Sequence, residues 1–380
     1  MASNLLFVVH GMGSYPSGWE NEIRTKLEEV AKRYTAFEAD PTVLWQRLRL
    51  VPVGYDDLLR GTPQEPGLLE RWKQDAGGLL AFATANKLAS AGSLDWLEPL
   101  ATQDQEFFWE RVADVVAYRF FGLVRDAIRV RVARRILDEL VPAGTATDLA
   151  ARSFERATVL AHSLGTAVTH DALSLLGTTR FEGHANVFSP PMCRFRAVFQ
   201  LANVSRVLAN DIPVDGSIVH GGPVGDTSSD CTRFASYRHK WDPFCLVRTF
   251  RLEADARFNT LRAVDHFRDW NVHGFTHYLD HPHVHVPLLN SALGQDFITG
   301  DEYASALAAY KRFGDKLEQV AGVQEDLRAI REEVARLEEN SGLATLFEVA
   351  GNVFRKLASI RARVEQAKKD LGLDREEDPS

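Results

Sequence analysis

The stretch Thr158-Val159-Leu160-Ala161-His162-Ser163-Leu164-Gly165-Thr166 constrains the fold more than any other part of this chain. A β-rich run leads straight into small-x-Ser-x-Gly, and a helical pattern follows from Thr166 onward. That order predicts a strand, a sharp turn with Ser163 at its apex, and a helix. Ala161 and Gly165 are the small residues, two positions either side of the serine, that let strand and helix come close. Ser163 could also be read as a helix N-cap. The strand–turn–helix context, with partner residues following in the right order, favours a nucleophile.

The same alternation runs through the rest of the chain. Short apolar runs at 5–9, 48–53, 157–161, 196–202, 234–240 and 260–267 predict strands, with helices expected at about 18–34, 106–140, 163–176 and 303–312. Strands that alternate with helical patterns imply an α/β fold with a mostly parallel sheet flanked by helices. With 380 residues, 45% of them hydrophobic, there is material for one large core over 1–312 plus an appendage. Residues 56–104 carry Pro63, Pro66, Pro99, Gly77 and Gly78 and do not fit a minimal strand–helix unit. They read evenly as a cap or lid insertion and as a pair of core-packing helices. Residues 206–233, rich in Gly, Asp and Ser, read as a long surface loop.

From about 313 the pattern changes. Leu317, Val320, Val323, Leu327, Ile330, Val334 and Leu337 recur every three or four residues, and Leu346, Ala350, Val353, Leu357, Ile360, Val364, Ala367 and Leu371 repeat the pattern beyond Asn340-Ser341-Gly342. Such spacing puts each set on one stripe and predicts a coiled-coil-like helical hairpin over 313–372. The stripe could dock on the body of the protein, self-associate or hold a partner, and self-contained packing is the favoured expectation. Residues 373–380 read as a disordered tail.

A net charge of −8 argues against a broad nucleic-acid surface. The odd count of three cysteines, Cys193, Cys231 and Cys245, fits neither a disulfide framework nor a zinc site. Leu5 to Val9 is too short for a signal peptide, and no run reaches the roughly 18 to 20 apolar residues of a transmembrane segment. A cytoplasmic location is expected.

Three further stretches supply partners for Ser163. His10-Gly11-Met12-Gly13 follows the first predicted strand at once, and a turn there can offer the backbone N–H of Met12 to a developing oxyanion. The second N–H of that oxyanion hole comes from Leu164, next after the nucleophile. H-G-M-G lacks the G-x-G-x-x-G spacing of a dinucleotide site. Asp242, at the end of a strand-like run and before Pro243, is the candidate acid, with Asp211 as runner-up; both also read as turn-capping aspartates. The base is sought among six of the twelve histidines, which lie between His266 and His285. Their spacing lacks HExxH, so no metal is expected. His273, in a loop, is narrowly preferred, with His277 as the alternative base.

The order H-G, A-H-S-L-G, W-D-P and then a His followed by Tyr and His-Pro resembles the lipase and esterase branch of the α/β-hydrolase superfamily. Val112-Ala113-Asp114-Val115-Val116-Ala117-Tyr118 is similar to the D-V-x-x-Y helix that precedes the nucleophile in that branch. The resemblance covers about 1–310. It implies an α/β-hydrolase fold and a cofactor-independent serine hydrolase that cleaves a small-molecule or lipid ester through a Ser-His-Asp triad. The alternative is a non-catalytic protein on the same scaffold, binding a partner through its C-terminal helices.

Overall fold

The computed structural model describes residues 4–61, 112–141, 153–178, 194–208, 217, 219–226, 228–265, 267–338 and 341–371. Most of the candidate cap, 62–104, lies outside them, as do Asp211, Cys193 and the tail 373–380. Six strands, β1 (Asn4–Val9), β2 (Leu48–Val53), β3 (Ala157–His162), β4 (Phe195–Leu201), β5 (Cys231–His239) and β6 (Asn259–Val264), form one sheet. Its order is β2-β1-β3-β4-β5-β6, and every pairing is parallel. All six lie where the apolar runs predicted them.

Burial explains why those runs were continuous. β1 and β3 sit in the middle of the sheet and are covered on both faces, so successive residues point into opposite cores. Leu5, Phe7 and Val9 enter one core, and Leu6 and Val8 the other. The edge strand β6 shows the converse, with Thr260, Leu261 and Arg262 exposed.

On the first face pack α4 (Ala113–Phe120), α5 (Gly122–Leu140) and α6 (Leu164–Thr178). The second face is covered by α1 (Glu20–Ala31), α8 (Phe275–Asp280) and α9 (Pro282–Leu293). Short helices α2 (Val43–Arg47), α3 (Asp56–Arg60) and α7 (Ser205–Leu208) lie in the connections. The long loop expected at 206–233 ends early. β5 begins at Cys231, and Asp230 and Cys231 are buried, with Gly221 bridging to Cys231.

The C-terminal region differs from a two-helix hairpin. α10 (Gly300–Ala321) opens with a Thr299/Glu302 capping box and runs unbroken through the expected boundary at 312/313. It stops at Gly322, whose φ of 62° is the left-handed conformation that glycine adopts without strain. α11 (Gln324–Val334) and α12 (Leu343–Asp370) follow. α10 buries Tyr310, Gly314, Leu317 and Ala321, which leaves Val320 off that face and 46% exposed, whereas beyond the break Val323, Leu327 and Ile330 are buried. Leu317, Val323, Leu327 and Ile330, with Val353, Leu357, Ile360 and Val364 of α12, enclose Trp241, Phe267 and Val272, in the loops after β5 and β6.

Leu357 is fully buried in that cluster, so Leu357→Ala should cost about 2–5 kcal/mol in chemical denaturation. Val320→Ala, at an exposed position of the first apolar set, should change stability by no more than about 0.5 kcal/mol. Equal, small effects would mean that the stripe is not packed as described.

Candidate active site

In an open parallel sheet, a crevice forms where the strand order reverses, outside the carboxyl ends of the strands. Here the reversal falls between β1 and β3. His10-Gly11 leaves the end of β1, and Ser163 leaves the end of β3.

Ser163 has a φ of 54°, an uncommon conformation for a residue with a side chain. Its N–H donates to the Leu201 carbonyl at 2.9 Å, and its own carbonyl accepts from the Thr166 N–H and hydroxyl at 2.8 and 2.7 Å. A Cβ on Gly165 would lie 2.2 Å from the His10 carbonyl oxygen, and one on Gly11 would lie 2.9 Å from the Ser163 Cβ. Both glycines are thus needed for closeness: the first turn of α6 rests on the backbone that leaves β1.

Two loops bring the other groups to the serine. β5 ends at His239, and Asp242 stands at the head of a tight turn, Pro243–Cys245, where its carboxylate accepts the Phe244 N–H at 3.2 Å. His273 lies in the loop after β6, just before α8. Its Nδ1 is 2.7 Å from Asp242 Oδ2 and its Nε2 is 2.8 Å from Ser163 Oγ. A carboxylate can only accept, so Nδ1 carries the proton and Nε2 faces the Ser163 hydroxyl as an acceptor. All three residues are buried.

Burial alone would raise the Asp242 pKa. The facing His273 imidazole, with hydrogen bonds from His273, Cys245 and Tyr278, holds it below the ordinary carboxylate value. Tyr278 is oriented unambiguously: its oxygen accepts the His239 N–H at 2.7 Å, so its proton goes to Asp242 Oδ2, 3.1 Å away. The Cys245 thiol donates to the same oxygen at 3.2 Å. His162, next to the serine, is 2.7 Å through Nε2 from the His273 carbonyl, to which it donates, and stacks on Phe275.

The turn after β1 is braced from behind. The Tyr55 hydroxyl lies 3.0 Å from both the His10 and Gly11 carbonyls, and the His10 ring is sandwiched between Tyr15 and Tyr55. Gly13 donates its N–H to buried Asp114 at 2.6 Å, and Arg60 pairs with both Asp114 oxygens at 3.0 Å. Met12 is buried between these anchors. Leu164 is the first residue of α6, where a backbone N–H has no partner within the helix.

Of the two candidate bases, His273 is the one that meets Ser163. His277 is on the first turn of α8, its ring 5.1 Å from His239, and the helix turns Tyr278 rather than His277 toward the acid. His285 and His281 are engaged elsewhere: His285 joins Tyr34 to the Leu279 carbonyl, and His281 caps α9 by accepting the His283 N–H. Among the described residues, no three His, Cys, Asp or Glu side chains group as a metal ion requires.

Tyr278, Cys245, His162 and Tyr55 were missed by the sequence reading. Asp114 and Tyr118 were visible as a motif without a role. They sit four apart on one helix, where Asp114 holds the Gly13 turn and Tyr118 donates to Asp171 of α6 at 2.5 Å.

No family model matches the sequence, and no curated protein matches it. Among solved structures, the crystal structure of an uncharacterized protein from Pseudomonas aeruginosa matches 97% of this chain at 9% identity and a TM-score of 0.33. This chain spans 62% of that protein, and so loose a likeness carries no argument. No helix among the described residues is long and apolar enough to cross a membrane.

The buried histidines make stability depend on pH. Burial lowers His277 from 6.5 to about 4 and His285 to about 3; burial and neighbouring imidazoles lower His281 to about 2. All three are neutral when folded and take up protons near 6.5 when unfolded. Their contribution is therefore complete above 6.5 and is lost as pH falls toward the folded values, by about 1.4 kcal/mol per pH unit per group. Denaturation between about pH 6 and 4.5 should show this slope, and His277→Asn should lower it by about 1.4 kcal/mol per unit. An unchanged slope would contradict the assignment.

Proposed function

We propose that this protein is a serine hydrolase of the α/β-hydrolase type that cleaves an ester through Ser163, His273 and Asp242. The observation that carries the reading is the unbroken hydrogen-bonded line from Asp242 through His273 to a serine in a left-handed turn at the strand-order reversal. Each part suits acyl transfer. His273 Nε2 takes the hydroxyl proton as Ser163 Oγ attacks the ester carbonyl carbon. Negative charge moves to the carbonyl oxygen, and the N–H groups of Met12 and Leu164 are its proposed donors. Asp242 stabilises the imidazolium. The proton then passes to the departing alkoxide as the C–O bond breaks, leaving an acyl-serine. Water, deprotonated by His273, attacks that acyl-serine, and the acid product departs with Ser163 regenerated.

Aromatic rings bound the base. Phe244 lies 5.0 Å from the His273 ring and Phe354 6.3 Å, with Phe347 6.2 Å from Phe244. These walls favour an ester with an apolar acyl group. Two of them, Phe347 and Phe354, come from α12, so in this reading the C-terminal helix belongs to the site. The alternative of a non-catalytic partner-binding protein needs an outward-facing C-terminal stripe, yet Leu357, Ile360 and Val364 are spent on the chain's own core. Cys231 and Cys245 are free thiols and buried, which suits a reducing, cytoplasmic setting.

Hydrolysis of p-nitrophenyl esters of graded chain length tests the proposal. Ser163→Ala and His273→Ala should each lower kcat by about 10³-fold or more, and Asp242→Asn by about 10⁴-fold, while His277→Asn stays near wild type. Ester turnover that survives Ser163→Ala would place the chemistry elsewhere.

A further inference from the structure

A cavity of about 350 Å³ opens on the sheet at β5 and β6, clear of Ser163 and His273. Three arginines and no carboxylate line it, in a chain whose net charge is −8. Ser236 and Arg238 stand two apart on β5 and therefore project from the same face. Arg262 contributes to the lining, but its guanidinium is 2.6 Å from His283 Nδ1. Arg238 is half-buried and has no carboxylate partner among the described residues.

The neighbouring hydrogen bonds fix what the cavity offers. Asn203 gives its Nδ2 protons to Gln200 Oε1 and to Ser236 Oγ, while its Oδ1 accepts both the N–H and the hydroxyl of Ser205. The amide is thereby held in one orientation, and Ser236 must accept from it. The Ser236 proton is left to donate, with no acceptor among the described residues although the residue is only 6% exposed. Across the cavity runs the loop 246–251. There Arg248 has a φ of 44°, a costly conformation for a long side chain, and Arg206 holds the Thr249 carbonyl at 3.1 Å. A directed hydroxyl donor beside an uncompensated guanidinium suits an acceptor that carries negative charge.

We propose that this cavity binds the oxyanion group, phosphate or carboxylate, of a small-molecule ligand, with Arg238 supplying the charge and Ser236 the hydrogen bond. The wall it shares with the triad is Cys245, whose thiol donates to Asp242. An occupant therefore sits one side chain behind the acid. The proposal does not depend on the hydrolase reading, because it concerns binding alone.

Isothermal titration calorimetry of the full chain with inorganic phosphate and with acetate, at constant ionic strength, tests it. Saturable one-site binding of either anion is expected, and the tighter of the two identifies the group recognised. Arg238→Gln should weaken it about tenfold or more and Ser236→Ala several-fold, with Arg257→Gln, a change at an exposed arginine outside the cavity, serving as control. The melting temperature in chloride reports folding for each variant, and Ser236→Ala carries the test if Arg238→Gln does not fold. Absence of saturable binding of both anions to the wild type, or binding unaltered in a folded Arg238→Gln or Ser236→Ala protein, would overturn the proposal.

Discussion

With a Cβ on Gly165 only 2.2 Å from the His10 carbonyl oxygen, the N-terminus of α6 lies directly against the backbone leaving β1. This contact joins the two strand ends on which the candidate site is built. It sets Ser163 beside the turn that carries Met12, and it is possible because β1 and β3 are adjacent parallel strands that end at the same level. The left-handed turn at Ser163 is held in place by the Ser163 N–H bond to β4 and the two Thr166 bonds that start the helix. Strain of this kind persists only where its surroundings over-determine it.

Around that contact, a buried carboxylate is kept charged by donors from three directions. Asp242 receives the Phe244 N–H from its own turn, the Tyr278 hydroxyl from α8 and the Cys245 thiol from across the turn, besides the His273 imidazole. Without them, burying an ionised group would cost several kcal/mol. The loops that carry Asp242 and His273 also hold Trp241, Phe267 and Val272, on which α10, α11 and α12 pack. The C-terminal helices thus support the same two loops that position the acid and the imidazole, which ties an apparent appendage to the site.

The sheet was legible because doubly buried parallel strands must be apolar at every position, which leaves uninterrupted runs such as Leu5 to Val9. Ser163, Gly165 and His10-Gly11 were legible because close backbone approach restricts residue type. Asp242 could be read from its place between a strand and Pro243. The choice between His273 and His277 was barely legible: both precede or open α8, and only the direction in which the helix leaves the loop separates them. Tyr278 and Cys245 could not be read at all, because a hydrogen bond to a residue over 30 positions away, or within a turn of unknown shape, leaves no periodic trace. The apolar spacing of 317–337 predicts one helix, but α10 ends and α11 begins within it, because spacing alone carries no sign of the left-handed break at Gly322.

The central claim is that Ser163 is an activated nucleophile, and covalent labelling addresses it most directly. Intact-mass and peptide mass spectrometry after treatment with a fluorophosphonate probe should show a single adduct on the peptide containing Ser163, absent from folded Ser163→Ala protein. A folded wild-type chain that takes up no probe under conditions that label a known serine hydrolase, or one labelled at another residue, would contradict the account.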